Sequence, residues 1–256
     1  MRLDVYLAEN GYTDSRERAK RLLLAGRVRV NGRVVGKPSL DVEDGALIEV
    51  EQESFVGRGG EKLEGALRGF ALDVTGLRAL DIGASTGGFT HCLLLHGAAA
   101  VTALDAGSGQ LHPALLRDPR VTNLEKYNAR ELSPEDVGHF DLAVMDVSFI
   151  SQTYILPRLP LVLHPSGMAV TLIKPQFEAG RAALNKKGIV KDPRDRLLAV
   201  RRVLQGAREA GLIPQGLMCS PIEGGDGNVE YLALFSLAGT DAVSDALVDQ
   251  IVLEGR

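Results

Sequence analysis

The sequence predicts an α/β open sheet with helices on both faces, preceded by a small α+β domain. Three observations predict it. From residue 77 onward, short apolar runs alternate with segments of helical period, the pattern of a parallel sheet covered on both sides. A glycine-rich turn follows the first of those runs, where an open sheet binds its ligand. Charge also divides the chain: residues 1–40 hold nine Lys/Arg against four Asp/Glu, a net of +5, and the remainder carries −9. A basic head on an acidic body points to two parts with separate tasks.

The bulk properties exclude several classes. With 256 residues, 45% hydrophobic and 24% charged, the chain suits one domain of about 200 residues plus an appendage, not a disordered protein. Cys92 and Cys219 are too few for a disulfide framework, and no zinc spacing occurs. His91 and His96, five apart, do not share a helix face. The start, Met1-Arg2-Leu3-Asp4, does not resemble a secretory signal, and no apolar run reaches the roughly 18 residues of a membrane span. A cytoplasmic, metal-free protein is expected.

In the head, Leu3, Tyr6 and Leu7 form one apolar helix face that Gly11 stops. Asp14 or Ser15 caps a second helix with Ala19, Leu22 and Leu23 at core spacing, ended by Gly26. Arg16, Arg18, Lys20 and Arg21 lie on or near its other face. Asn31-Gly32 then marks a two-residue hairpin. Its alternating valines are expected to pack inward, with Arg29 and Arg33 pointing out beside Arg27. Residues 47–50 read as a further strand. About eight basic groups on one side suit a phosphate-binding surface, although a solvated basic face carries the same residues.

The segment "SRERAKRLLLAGRVRVNG", a basic helix leading into a V-x-V-N-G hairpin, resembles the RNA-binding module named after ribosomal small-subunit protein S-four. The resemblance extends over roughly fifty residues. It implies recognition of structured RNA by shape and backbone, with base specificity supplied elsewhere. The RNA-binding residues expected from it are Arg16, Arg18, Lys20, Arg21, Arg27, Arg29 and Arg33. The domain is expected over residues 1–52, a linker over 53–61 and the body over 62–256.

In the body, strands are expected at 77–82, 100–104, 121–124, 142–147, 168–173, near 217–218 and at 230–237. Helices are expected at 88–96 and at 194–210, the latter started by Asp192-Pro193. Residues 153–163 are partly helical, broken or kinked by Pro157 and Pro160.

The loop after the first body strand reads Asp81-Ile82-Gly83-Ala84-Ser85-Thr86-Gly87-Gly88-Phe89. Glycines there let a ligand approach the backbone, and Asp105, ending the next strand, stands where an acid bonds a ribose diol. A nicotinamide dinucleotide and S-adenosylmethionine both fit such a site. Asp81 before the first glycine, the D-x-G-x-S-x-G-G pattern and the strand pair near 212–237 favour the methyl donor.

Methyl acceptors differ in what they require. Position 146–149 reads Asp-Val-Ser-Phe, not the Asn/Asp-Pro-Pro-aromatic of amino-group methylation, and neither cysteine lies where a ring-carbon nucleophile belongs. A ribose 2′-OH needs a base and a straight line to the methyl carbon. Asp146 and Lys174 end buried strands, Glu230 opens the last one, and Lys62 is within reach of the same crevice. Each alone fits a surface salt bridge. Lys174, at the end of a buried apolar strand, fits that least.

The segments "GRGGEKLEGAL", "LDIGASTGGFTHCLL", "ALDAGSGQL", "MDVSFIS", "LIKPQFEAG" and "NVEYL" together resemble the TlyA/haemolysin-A family across essentially the whole chain. The resemblance implies a Rossmann-like class I methyltransferase of the FtsJ type behind the RNA-binding head. It also implies S-adenosylmethionine as cofactor and the 2′-OH of cytidines in ribosomal RNA as acceptor, in the large subunit and often the small. Lys62, Asp146, Lys174 and Glu230 are then a catalytic tetrad, with Lys174 taking or orienting the 2′-OH proton. Asp81, Gly83, Ser85, Gly87, Gly88 and Phe89 are expected around the methionine end of the cofactor and Asp105 on its ribose. Asn128 or Arg130 is expected at the adenine or the domain interface. One departure is Gly57, where family sequences carry Ser-Arg-Gly; it is expected to loosen the joint. Arg181, Lys186, Lys187 and Lys191, in the loop 178–192, are expected to clamp RNA or to stand in solvent.

Three rivals remain: a membrane-active haemolysin, which needs a membrane span, a secretion signal or a strongly amphipathic basic helix; an assembly factor that binds the cofactor without transfer; and a dehydrogenase, for which the basic head has no use.

Overall fold

The structure, a computed structural model, describes residues 1–13, 15–24, 26–43, 45–51, 54–225 and 227–255, with Arg21 in its backbone only. It divides into two compact units, residues 1–54 and 55–256.

In the first unit, α1 (Leu3–Glu9) buries Leu3 and Leu7. In α2 (Arg16–Leu24) the Ser15 hydroxyl accepts from Arg18 N–H at 3.2 Å, the cap that an isolated N-terminus needs. Asp14, the alternative cap, lies outside the described residues. Ala19, Leu22 and Leu23 close a small core with Val28 and Ile48. Strands β1 (Val28–Val30), β2 (Arg33–Val34) and β3 (Ile48–Val50) form an antiparallel sheet in the order β2-β1-β3. Asn31 and Gly32 take φ of +51° and +74°, the turn their dipeptide predicts. Its register corrects one expectation. Val30 pairs with Arg33 and Arg29 with Val34, so Arg29 and Arg33 stand on opposite faces of the hairpin.

The second unit begins inside the expected linker. Phe55 is buried and α3 runs Gly59–Gly69, so the expected 53–61 linker is structured body from Phe55 onward. There follow β4 (Arg78–Ile82), α4 (Gly88–Leu95), β5 (Ala100–Leu104), α5 (Pro113–Leu116), β6 (Val121–Leu124), α6 (Pro134–Val137) and β7 (Phe140–Met145). Then come α7 (Leu159–Val162), β8 (Leu163–Ile173), α8 (Pro175–Glu178), α9 (Pro193–Glu209), β9 (Ile213–Cys219), β10 (Tyr231–Ser236) and α10 (Asp245–Leu253). The sheet order is β6-β5-β4-β7-β8-β10-β9, parallel through β8, with β10 antiparallel to both neighbours. The order reverses between β4 and β7, which opens a crevice at the strand C-termini. One apolar layer joins the sheet to α9 and α10, the other to α3 and α4.

Residues 152–162 form two 3₁₀ turns and α7. Pro157 and Pro160 sit in first-turn positions, where a missing N–H leaves no bond unmade. Asp192 caps α9 as expected, accepting from Arg194 N–H at 2.8 Å. Helix α10 was not anticipated. Its signals are Ser244, which caps it, and the spacing of Val248, Ile251 and Val252, all buried.

Candidate active site

The parallel alignment of β4 with β7 fixes the floor of the crevice, where Asp146 N–H donates to Ile82 O at 3.0 Å. Gly83 turns the chain at φ +83°, and a Cβ there would lie 2.6 Å from the Asp146 carbonyl oxygen. Only glycine fits both demands. Ser85, at φ +50°, donates its N–H to Asp105 Oδ2 (2.8 Å), while Gly107 N–H takes the other oxygen (2.7 Å). Asp105 thus ties the β4 and β5 loops together at the rim.

Two expected cofactor contacts are placed elsewhere. Gly87, at φ +93°, packs against Leu111 and Leu115 behind the loop. Asp81 is fully buried beneath it: its Oδ2 accepts from Thr90 N–H (2.9 Å) and Thr90 Oγ (2.6 Å), anchoring the start of α4. Burial pushes the Asp81 carboxyl up to about 7, and the charges of Asp146 and Asp105 push the same way. Its Oδ1 is buried without a hydrogen-bond partner.

Gly83, Ser85, Asp105 and Asn128 do line a cavity of about 420 Å³, walled by Tyr127 and Ile155 among others, a size that suits a nucleoside-bearing ligand. Gly88 and Phe89 line its smaller neighbour together with Gly59, Asp146 and Lys174. Asn128 caps a 3₁₀ turn through Arg130 N–H, whereas the Arg130 guanidinium lies over Tyr154, 5.4 Å from its centroid. Gly57 does more than loosen the chain. A Cβ there would lie 2.6 Å from Thr86 Oγ, so the segment before α3 approaches the glycine loop closely.

Lys62, Asp146, Lys174 and Glu230 form two ion pairs. Lys174 Nζ lies 2.6 Å from Asp146 Oδ1 and donates to Ser148 Oγ at 2.8 Å. Lys62 Nζ lies 2.5 Å from Glu230 Oε2, both nearly inaccessible to water. Gln176 donates to the other Glu230 oxygen at 3.3 Å and so links the second pair to the segment that carries Lys174. The β8–β10 register explains the meeting: Ile173 pairs with Tyr231, which sets the residues flanking them, Lys174 and Glu230, at one sheet edge. Lys174 and Asp146 line the smaller cavity, whereas Lys62 and Glu230 are buried.

Sequence reasoning missed the loop after β7. Phe149 is 92% exposed at φ +65°, an unfavourable conformation for a large side chain, and its ring lies 5.2 Å from that of Phe177. An aromatic residue three places beyond Asp146 was the available signal. Burial pushes the Cys92 thiol up to about 12 and raises that of Cys219, which holds both in the thiol form.

The basic residues of the head are partly engaged. Arg16 lies 3.1 Å from buried Asp4, whose carboxyl Arg2 and Arg16 hold down at about 2, and Lys20 lies 2.8 Å from Glu17. Arg29 and Arg33 are exposed; the Arg21 side chain is outside the described residues. Lys186, Lys187 and Lys191 are exposed on a loop that Asn228 fastens by bonds to Val190 N–H and Gly188 O. Among the described residues no grouping of His, Cys, Asp and Glu could hold a metal, and no helix is long and apolar enough to cross a membrane.

The comparisons agree with this architecture. Residues 55–237 match the FtsJ-like methyltransferase family and residues 1–48 the S4 domain. The chain is 45% identical over 234 residues to the 16S/23S rRNA (cytidine-2'-O)-methyltransferase TlyA of Mycobacterium tuberculosis, covering 90% of this chain and 87% of that one. It is 44% identical to Hemolysin A of Brachyspira hyodysenteriae, covering 92% and 99%. A solved structure from Streptococcus thermophilus, described as a hemolysin, superposes with a TM-score of 0.79 at 40% identity over 99% of this chain and 94% of that one. Fold, crevice and sequence converge: the chain belongs to the TlyA/haemolysin A family of FtsJ-like methyltransferases and carries an S4 domain at its N-terminus.

Proposed function

We propose that this methyltransferase moves the methyl group of S-adenosylmethionine to the ribose 2′-OH of a cytidine in ribosomal RNA, in the large subunit and also the small. The Lys174–Asp146 pair at the mouth of the cavity carries the reading. An RNA-acting enzyme of this kind works in the cytoplasm.

The cavity fits the donor on charge as well as size. Asp105 and Asp146 line the cavity beside the glycine loop, and the Ser85 and Gly107 N–H groups are already spent on Asp105. That surface disfavours the pyrophosphate of a dinucleotide and favours a cationic ligand. When bound, the donor supplies a methyl group on a positively charged sulfur, open to attack in line. Gly83 and Ser85 bring the backbone against it, Asp105 suits the ribose hydroxyls, and Tyr127 and Asn128 border the part where a base fits.

The chain must then remove one proton from the attacking hydroxyl. Lys174, fixed by Asp146 and Ser148, is the group that takes or orients it, a contribution of about 10²–10⁴ in rate for positioned acid–base groups. Lys62 and Glu230 pair with each other, so this second pair adds no net charge beside the cationic donor. Phe149, exposed beside Phe177, offers the target base a stacking platform worth about 1–3 kcal/mol. The S4 domain and the loop bearing Lys186 and Lys187 supply phosphate contacts.

The test is transfer of labelled methyl from S-adenosylmethionine to ribosomal subunits lacking the modification, with digestion to nucleosides. Label recovered as 2′-O-methylcytidine is the expected result, and Lys174→Ala lowers transfer at least 10³-fold while donor affinity changes less than about threefold. Loss of donor binding in that variant makes Lys174 structural. No label from wild-type protein that binds the donor favours an assembly factor instead.

A further inference from the structure

Glu178 is a buried carboxylate that the reaction described above does not use. It is 3% exposed at the end of α8, and among the described residues no cation lies within salt-bridge distance of its carboxylate. The nearby Arg202 guanidinium donates to its backbone carbonyl at 3.2 Å. A buried acid without hydrogen-bond partners is costly, so the bonds it does make are informative. Both go to one short segment. Ser151 Oγ–H donates to Oε2 at 2.5 Å and Gln152 N–H to Oε1 at 2.9 Å.

That segment is the far end of the loop presenting Ser148 and Phe149. At its near end Asp146 N–H is fixed to Ile82 O, and at its middle Lys174 holds Ser148. Phe149 lies between, at positive φ and almost wholly in solvent, with the Phe177 ring 5.2 Å away. Such a conformation persists when neighbouring contacts impose it. Helix α8 supplies those contacts from one short piece of chain: Lys174 at its start, Phe177 under Phe149 and Glu178 at its last position. The spacing between catalytic amine and aromatic ring is therefore set by two clasps, one on each side of Phe149.

We propose that Glu178 is a positioning residue for the methyl acceptor: through Ser151 and Gln152 it fixes the loop that holds Phe149 and Ser148 towards the nucleotide. This rests on the reading of the cavity as a ribose methyltransferase site with Phe149 as its platform. Glu178 touches neither donor nor acceptor, so its effect falls on RNA engagement and not on donor binding.

The experiment uses the full chain, S-adenosylmethionine and ribosomal subunits. Glu178→Ala is expected to raise KM for the subunit about tenfold, with kcat reduced less and donor affinity within twofold. Glu178→Gln restores most of this. Its carboxamide oxygen still accepts from Gln152 N–H, and its NH₂ donates to Ser151 Oγ, which turns its own proton to Thr153 Oγ at 2.7 Å. Phe149→Ala raises KM similarly, and Glu178→Ala added to it changes little more, because the two act through one loop. Ser151→Ala, which removes one bond and leaves the other, gives a smaller rise and serves if Glu178→Ala does not fold. Unchanged KM in both variants, additive effects with Phe149→Ala, or an equal loss of donor affinity overturns the proposal. Amide exchange at residues 149–152 without RNA separates the two ideas. Faster exchange in Glu178→Ala upholds the clasp even if wild-type protein transfers no methyl group, an outcome that sinks the proposed reaction; unchanged exchange removes the clasp.

Discussion

Asp81 places an ionisable group inside the protein with a proton equilibrium near neutrality, since burial pushes its carboxyl up to about 7. Its folded value exceeds the unfolded value of about 3.9, so folding favours the protonated acid. The stability it contributes is fully present below about pH 4 and is lost as pH rises through about 7. Asp81→Asn keeps an oxygen for Thr90 and removes that loss, so its urea midpoint changes less than wild type's between pH 5 and 8. The same carboxylate attracts a cationic donor once ionised. Affinity for S-adenosylmethionine is expected to rise about five- to tenfold from pH 6 to 8 and to stay nearly flat in Asp81→Asn, as titration calorimetry can read. A parallel pH response in both proteins assigns the effect to another group. At this scale the sequence reading named Asp81 from its place before Gly83 but did not foresee its bonds to Thr90. Strand alternation turns its side chain under the loop and towards Thr90, which no linear motif records.

The elements divide into those that place the site and those that hold the sheet. The β4–α4 turn belongs to the first class. Gly83→Ala adds roughly 1–2 kcal/mol of backbone strain and drives a Cβ into the Asp146 carbonyl. Donor affinity falls more than tenfold while RNA binding at low salt stays within twofold; retained donor affinity means that the turn relaxes. Helix α10 belongs to the second class. Ile251 is 5% exposed in the layer it shares with α9 and the sheet, so Ile251→Ala costs about 2–4 kcal/mol by denaturation, with KM values unchanged at temperatures where it is folded. Strands such as 100–104 and 142–147 were legible because buried parallel strands are nearly continuous apolar runs. The short helices α5, α6 and α8 were not. Four residues carry too little periodicity to mark a helix.

For the molecule as a whole, charge is the first organising quantity. Residues 1–40 carry a net of +5, but the acidic stretch 41–54 brings the first unit to −1 and leaves the second at −3, so RNA affinity depends on local basic surfaces and not on the net charge of either unit. Arg29→Ala with Arg33→Ala is expected to weaken subunit binding and to flatten its salt dependence by about one unit of slope per lost phosphate contact. kcat at saturating subunit stays within twofold. Since the hairpin register sets these arginines on opposite faces, the single variants are expected to differ, and equal slopes for both would place RNA along the hairpin edge.

From residues alone came the α/β body behind a basic N-terminal stretch, the Asn-Gly hairpin, the glycine turn and the nomination of Lys62, Asp146, Lys174 and Glu230, which fold into two ion pairs. Local backbone demands and apolar periodicity are written residue by residue, and a family's motifs are contiguous. Only the tertiary structure decided which partners these residues take. The pairing of Lys62 with Glu230 and of Lys174 with Asp146 depends on the register of β10 against β8 and on where α3 packs. Phe149 and Glu178 became functional candidates for the same reason: exposure, strain and buried hydrogen bonds exist only once distant segments have met.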